Sequence, residues 1–84
     1  MTIEEVNEPV EVISYFDGQK MRPLRFRWKG RAYKVAKVNG VWDDVKGQSR
    51  EYHFHVSAHN SGSFELIYNN SGFVWKLGRI CLDD

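Results

Sequence analysis

The sequence predicts a small all-β protein, a six-stranded antiparallel meander that curls into a small, partly open barrel. Apolar and polar residues alternate with a period of two along several runs, and β-branched and aromatic residues dominate these runs. Turn signals separate the runs, and no stretch sustains a helical period. Because a small sheet must either curl or cover one face with a helix, the lack of a long helical pattern favours the barrel.

The 84 residues are expected to form one all-β domain over residues 10–84, after a flexible or short helical segment at residues 1–9. Thr2 and Glu5 have the spacing of a helix capping box, and Pro9 limits any helix there to a turn or two. Aromatic residues make up 14% of the chain. They supply the apolar surface that so short a chain needs for its core.

The first half of the domain contains three alternating runs that are separated by glycine turns. The three predicted strands cover residues 10–16, 22–28 and 31–38. The turn signals that follow them are Asp17-Gly18, Lys29-Gly30 and Asn39-Gly40. Pro23 lies near the start of the second strand, where a missing N–H is tolerated.

The second half begins with an irregular stretch and then alternates again. The three predicted strands cover residues 50–58, 64–68 and 73–82, with turns at residues 59–63 and 69–72. In the last strand, Trp75 and Leu77 share one parity and Ile80 and Leu82 the other. A β-bulge at Gly78 would return both pairs to the core, so we predict one there.

Strand pairing assigns the side chains to two faces of the sheet. A two-residue turn at Lys29-Gly30 places Phe26 opposite Tyr33 and Leu24 opposite Val35 on the core face. By parity, Arg22 and Lys37 fall at the far end of this apolar face.

The last hairpin is paired by the same reasoning. A loop over residues 69–72 places Tyr68 opposite Phe73 in the core and Glu65 opposite Lys76 as an exposed pair.

The positive charge is concentrated in one part of the chain. The formal net charge is only +1, yet residues 18–42 hold eight of the 12 lysines and arginines and no acid. The candidate nucleic-acid contacts are the cations of the predicted hairpin, Arg25, Arg27, Lys29, Arg31 and Lys34. Arg25 is predicted to face Lys34 on the outer side, an unfavourable like-charge pair that requires an anion nearby. That anion is either Glu11, on the first strand, or a phosphate.

Two functions are compatible with this pattern. The first is a small accessory domain that binds the DNA or RNA backbone weakly and without sequence preference. The second is a protein–protein interaction module or homodimer, suggested by apolar residues of outer parity, namely Ile13, Tyr15, Ile67 and Val74. Base stacking is less favoured, because the aromatic residues next to the cations have core parity. Tyr15 and Trp42 are the only aromatic residues expected to be exposed as stacking platforms.

Catalysis and cofactor binding are not expected from the sequence. His53 and His55 lie two apart on one strand face and can chelate a metal only with further ligands, for which Glu51 and Cys81 are the nearest candidates. An ordinary polar strand face is the simpler interpretation. Cys81 is the only cysteine and lies in an apolar strand, and no nucleophile motif is recognisable.

Neither a signal peptide nor a membrane-spanning segment is apparent. We therefore expect a cytoplasmic protein without a membrane partner.

The chain resembles a bacterial family of small uncharacterised domains over most of residues 22–84. The pattern is Pro-x-x-Phe-x-Trp-x-Gly-x-x-Tyr-x-Val, a later Trp, Glu-Leu-Tyr and a Trp-x-Leu ending. The matching residues are Pro23, Phe26, Trp28, Gly30, Tyr33, Val35, Trp42, Glu65, Leu66, Trp75 and Leu77. Ile67 interrupts the pattern before Tyr68. Some members of that family are joined to proteins that resemble Y-family DNA polymerases, which implies a role linked to nucleic acid; the resemblance implies no site residues.

Overall fold

The computed structural model describes residues 2–59 and 62–82, and over these residues it contains seven strands and no helix. The strands are β1 (Thr2–Pro9), β2 (Glu11–Phe16), β3 (Met21–Trp28), β4 (Arg31–Lys46), β5 (Ser49–Ala58), β6 (Ser63–Asn69) and β7 (Val74–Leu82). All pairings are antiparallel, in the order β1-β7-β6-β5-β4-β3-β2. The all-β prediction is confirmed, and the predicted six strands become seven.

The additional strand, β1, occupies the segment for which a flexible or helical structure was predicted. It pairs with β7 from Thr2 opposite Leu82 to Pro9 opposite Lys76. A register shift between Glu5 and Glu8 accommodates Asn7, which has a φ of 52°. Strand pairing prevails over the capping pattern because β1 satisfies the N–H and C=O groups along the exposed edge of β7.

The sheet curls strongly but does not close. β1 and β2 are its two edges, yet only Val10 separates them along the chain. The Val10 N–H donates to the carbonyl oxygen of Trp75 on β7 at 3.2 Å, so both edges approach each other at this corner. The predicted partly open barrel is therefore approximately right.

Strand β4 is twice as long as predicted and bends across the sheet. Its first residues pair with β3, and the rest pair with β5 as far as Lys46. Asn39-Gly40 does not turn the chain, which is a correction to the prediction. The register instead shifts between Val38 and Gly40, and the Asn39 amide donates to Ser57 Oγ at 2.8 Å. The turn lies at Gly47, whose φ is 62°.

The core lies on the concave face of the curled sheet. Its buried members are Phe26, Phe54, Val56, Ala58, Phe64, Leu66, Leu77 and Ile80. Phe26 lies opposite Tyr33, as predicted, and their rings stack with centroids 4.9 Å apart. Leu24 does not join the core, contrary to the prediction. β3 contains an extra residue between Pro23 and Arg25, so Pro23 is buried and Leu24 is exposed.

The last hairpin has a different register from the predicted one. Tyr68 pairs with Trp75, and the loop covers residues 70–73, so Phe73 is 80% exposed rather than in the core. Asn69 favours this loop because its Oδ1 accepts the Ser71 N–H at 2.8 Å. The predicted bulge at Gly78 is confirmed, since Leu77 and Ile80 are both buried, but Leu82 is 43% exposed and does not join the core as predicted. The predicted turn at residues 59–63 includes positions 60 and 61, which lie outside the described residues.

Candidate nucleic-acid interface

The like-charge pair at the centre of the basic hairpin is present. Arg25 lies directly opposite Lys34, and both residues are exposed on the convex face. On the other side of Arg25 lies Ile13 of β2. Within the described part of the chain, no carboxylate lies within 4.0 Å of either cation. Among the described residues, no ion pair therefore relieves the repulsion between Arg25 and Lys34.

Glu11 lies near the hairpin but neutralises a different cation. It pairs with Arg27, and its Oε1 lies 4.0 Å from Arg27 Nη1. Both side chains are largely exposed, so this ion pair contributes little to stability. Glu11 therefore lies opposite Arg27, two pairs along the ladder from Arg25, and does not balance Arg25 as suggested.

Two register shifts enlarge the basic surface beyond the predicted residues. The bulge in β3 places Arg22 opposite Tyr15 and leaves it exposed, while the next residue, Pro23, is buried. The shift in β4 pairs Lys37 with Ser57, between the half-buried Val35 and Val38 positions. Both cations leave the core face to which simple parity assigned them. We call the resulting set the outer basic face: Arg22, Arg25, Arg27, Lys34 and Lys37.

Lys29 and Arg31 do not belong to the outer basic face, although the sequence grouped them with it. The Lys29 ammonium lies 4.9 Å from the ring centroid of Trp28, and the Arg31 guanidinium lies 5.1 Å from that of Tyr33. Trp28 and Tyr33 pack against the core, and the Trp28 indole donates to Glu8 Oε1 at 3.1 Å. These two cations are thus held at one end of the barrel by cation–π contacts.

The two expected aromatic platforms are exposed but already have neighbours. Tyr15 is 49% exposed, and Arg22 lies 5.4 Å from its ring centroid. Trp42 is 47% exposed and stacks on His53 with centroids 5.3 Å apart. Tyr15 therefore adjoins the outer basic face, whereas Trp42 lies on β4 beyond the part that pairs with β3.

The structure reveals an apolar cleft that the sequence did not indicate. It has a volume of about 620 Å³. Its lining residues are Phe16, Gln19, Lys20, Met21, Val41, Tyr52, Phe54, Tyr68 and Asn70. Tyr68 lies on the core face, as predicted, but the sheet does not close over the aromatic residues of the cleft. Only the three-dimensional curvature could have revealed this opening.

A second, smaller groove runs beside the like-charge pair. It has a volume of about 270 Å³. It is lined by Glu11, Val12, Ile13, Arg25, Phe26, Arg27 and Ala32. Its walls combine the guanidinium groups of Arg25 and Arg27 with the Glu11 carboxylate and apolar side chains, so its charge is partly balanced within the protein.

Of the two histidines proposed as an alternative metal site, His53 lies in a polar network, and His55 lies opposite Glu65 on the neighbouring strand. His53 Nε2 lies 3.6 Å from Glu51 Oε1, and His53 Nδ1 lies 3.6 Å from Glu65 Oε2. Arg79 Nε lies 3.5 Å from Glu65 Oε1. Over residues 2–59 and 62–82, no group of three or more His, Cys, Asp or Glu side chains has a metal-binding arrangement.

Glu65 itself differs from the prediction. It is buried and lies opposite Arg79 and His55, rather than forming an exposed pair with Lys76. Ile67, expected to be an exposed apolar residue, is also buried, next to the same network. On the convex face of β5, β6 and β7, residues such as Glu65 and Ile67 are therefore buried by their neighbours. The side chains of the outer basic face are exposed to solvent.

The fold and this surface define a small, open, curled antiparallel sheet with one basic face. The chain matches, over residues 1–80, the family model described as a domain of unknown function (DUF6504), and it belongs to that family. No curated protein and no solved structure shows significant similarity to it. In the described residues, no helix has the length and hydropathy needed to cross a bilayer.

Proposed function

We propose that this domain binds nucleic acid weakly and without sequence preference, through phosphates on the outer basic face. The observation that carries the proposal is the exposed Arg25–Lys34 pair, which has no carboxylate within 4.0 Å among the described residues. A like-charge pair directly opposite on two strands costs up to about 1 kcal/mol. A bound phosphate would remove this cost and gain charge-assisted hydrogen bonds from arginine.

The arrangement of the cations supports a backbone contact rather than base recognition. Arg22, Arg25 and Arg27 follow one strand, while Lys34 and Lys37 follow the next. Rows of cations on neighbouring strands can track consecutive phosphates, which carry no sequence information. Five such contacts at most predict a salt slope of roughly −4.5 for duplex DNA, from about −0.9 for each phosphate neutralised.

The acidic residues elsewhere in the chain limit the expected affinity. Outside residues 18–42 the chain holds four cations and 11 acids, a balance of 4 − 11 = −7. Glu11 lies at the border of the basic face. Repulsion between these acids and phosphates orients a bound strand along β3 and β4, and it also weakens binding at low salt.

The test is binding of labelled DNA and RNA, measured by fluorescence anisotropy at about 50 mM and 200 mM salt. The variant Arg25→Gln/Lys34→Gln should weaken binding and flatten its salt dependence. Lys46→Gln/Arg50→Gln is the matched control, since it removes two cations from the distant β4–β5 hairpin. No binding at low salt, or equal losses from both double variants, would reject the proposal.

Homodimerisation or protein binding through edge strand β2 is the second candidate. Ile13 and Phe16 on this edge are 60% and 64% exposed, and an open edge strand with apolar side chains can pair with a second chain. Among the described residues, Arg25 has no carboxylate within 4.0 Å, which favours nucleic acid, whereas the Glu11 carboxylate beside Arg27 favours this alternative. Light scattering at high concentration tests the homodimer, because a monomer excludes it.

The proposal also includes the expectations about catalysis, cofactors and cellular location. A backbone-binding accessory role requires neither catalysis nor a cofactor, and it is compatible with a cytoplasmic protein without a membrane partner. The implied link to proteins resembling Y-family DNA polymerases fits this role.

A further inference from the structure

We infer that the apolar cleft between the β2–β3 and β4–β5 hairpins takes a nucleobase from single-stranded nucleic acid. This inference rests on the proposed function and deepens it, because it names the strand state that the domain prefers. The cleft of about 620 Å³ is large enough for a planar base.

Aromatic side chains form the walls of the cleft. Phe16 stands 64% exposed at one side, and Tyr52 and Tyr68 are partly exposed, with their ring centroids 6.4 Å apart. Phe54 lies buried among the lining residues. Stacking on aromatic rings is the usual way in which proteins hold unpaired bases of any sequence.

The charge of the cleft favours an anionic ligand. Its described lining residues include one cation, Lys20, and no acid. Gln19 and Asn70 add amide groups, which can bond to base edges or sugar oxygens. A purely apolar ligand would gain nothing from Lys20, and a cationic ligand would be repelled. A nucleotide fits both properties, because its base is an apolar plane and its phosphate is an anion.

The position of the cleft links it to the outer basic face. Phe16 and Met21 are paired at the end of the β2–β3 ladder and line the cleft, whereas the next pair, Tyr15 and Arg22, belongs to the convex side. The same hairpin therefore presents an aromatic wall on one side and cations on the other. A strand with one base in the cleft can place its next phosphates near Lys20 and then Arg22.

The experiment compares three ligands of equal length by anisotropy: single-stranded oligothymidine, an abasic deoxyribose-phosphate strand and a duplex. We expect the abasic strand to bind at least about 5-fold more weakly than oligothymidine, the lower limit for the stacking of one base. Phe16→Ala should lose a similar factor for oligothymidine and none for the abasic strand. Phe73→Ala, which truncates a phenylalanine that is 80% exposed at the β6–β7 turn, is the matched control and should bind normally.

A second readout requires no variant. The ring-proton chemical shifts of Tyr52 and Tyr68 should move when oligothymidine is added and stay in place with the abasic strand. Equal, salt-dependent binding of all three ligands with unmoved tyrosine signals would overturn the inference and leave the proposed function intact. The absence of binding by every ligand at low salt would reject both.

Discussion

Gly78 on β7 passes directly beneath the buried carboxylate of Glu65 on β6. A Cβ atom built at Gly78 would lie 2.7 Å from Glu65 Oε1 and 2.7 Å from Ile67 Cδ1. Glu65 and Ile67 are both nearly inaccessible to solvent, so neither has open space to move into. Both the bulge that bends β7 and the buried position of the Glu65 carboxylate therefore require a glycine at position 78.

Gly78→Ala should lower the free energy of unfolding by about 1–3 kcal/mol, the usual cost of overpacking a filled interior. Urea denaturation monitored by tryptophan fluorescence measures this change. Gly40→Ala is the matched control, because a Cβ atom there meets nothing within 4 Å. We expect Gly40→Ala to change stability by less than about 0.5 kcal/mol. Equal stability of the two variants would contradict the close approach at Gly78.

The sequence predicts the strands well where alternation is regular, as in the pairing of Phe26 with Tyr33. It fails where a bulge changes the parity. Leu24 is itself the extra residue of the bulge, which reverses which residues of β3 face the core, and no local signal marks it because Leu24 is apolar. Gly78 is the exception, since the apolar residues on either side of it have opposite parity, and that bulge was predicted.

The candidate site shows the same dependence on bulges. The Arg25–Lys34 pair follows from one regular hairpin and was predicted. Arg22 and Lys37 join the outer basic face only through irregular register. The cleft exists because of how far the sheet curls, and every strand contributes to that curl. Single-residue patterns carry no information about such curvature.

Arg79 should contribute more to stability than its exposure suggests. Its Nε lies 3.5 Å from the buried Glu65 Oε1, and Arg79→Met would leave that carboxylate without its cationic neighbour. We expect a loss of about 1–3 kcal/mol in the free energy of unfolding. Because Arg79 is partly solvated, the loss should stay below that of a fully buried pair.

The control for Arg79 is the second carboxylate near it. Glu5 Oε1 lies 3.9 Å from Arg79 Nη2 and is well exposed, so Glu5→Gln should cost less than about 0.5 kcal/mol. Chemical denaturation of both variants measures the difference. If Glu5→Gln is as destabilising as Arg79→Met, then Arg79 acts through the outer carboxylate and not through Glu65.

A single substitution on the outer basic face should increase stability and weaken DNA binding. Lys34→Glu replaces the like-charge pair with an opposite-charge pair across β3 and β4. We expect it to raise the free energy of unfolding by about 0.2–1 kcal/mol and to weaken binding to DNA. Thermal denaturation and anisotropy on the same protein preparation measure the two effects. A stabilised variant with unchanged DNA binding would indicate that phosphate does not contact this pair.

The turn between β2 and β3 should make stability depend on acidic pH through Asp17. Its Oδ1 accepts the N–H groups of Lys20 and Gln19 at 2.8 Å and 2.9 Å. These hydrogen bonds, that from Lys20 first, lower the pKa of the Asp17 carboxyl below its ordinary value of 3.8. The folded state thus binds this proton less readily than the unfolded chain. The resulting stability is complete above the ordinary pKa and is lost as the pH falls through the lowered one.

Asp17→Ala should therefore be less stable than the parent protein at neutral pH, and the gap between them should narrow below about pH 4. Urea denaturation at several pH values from neutral to strongly acidic measures the gap. Asp17→Asn keeps an acceptor oxygen without the titrating charge, so its difference from Asp17→Ala should not change with pH. A gap between the parent protein and Asp17→Ala that stays constant into strong acid would show that ionised Asp17 does not stabilise this turn.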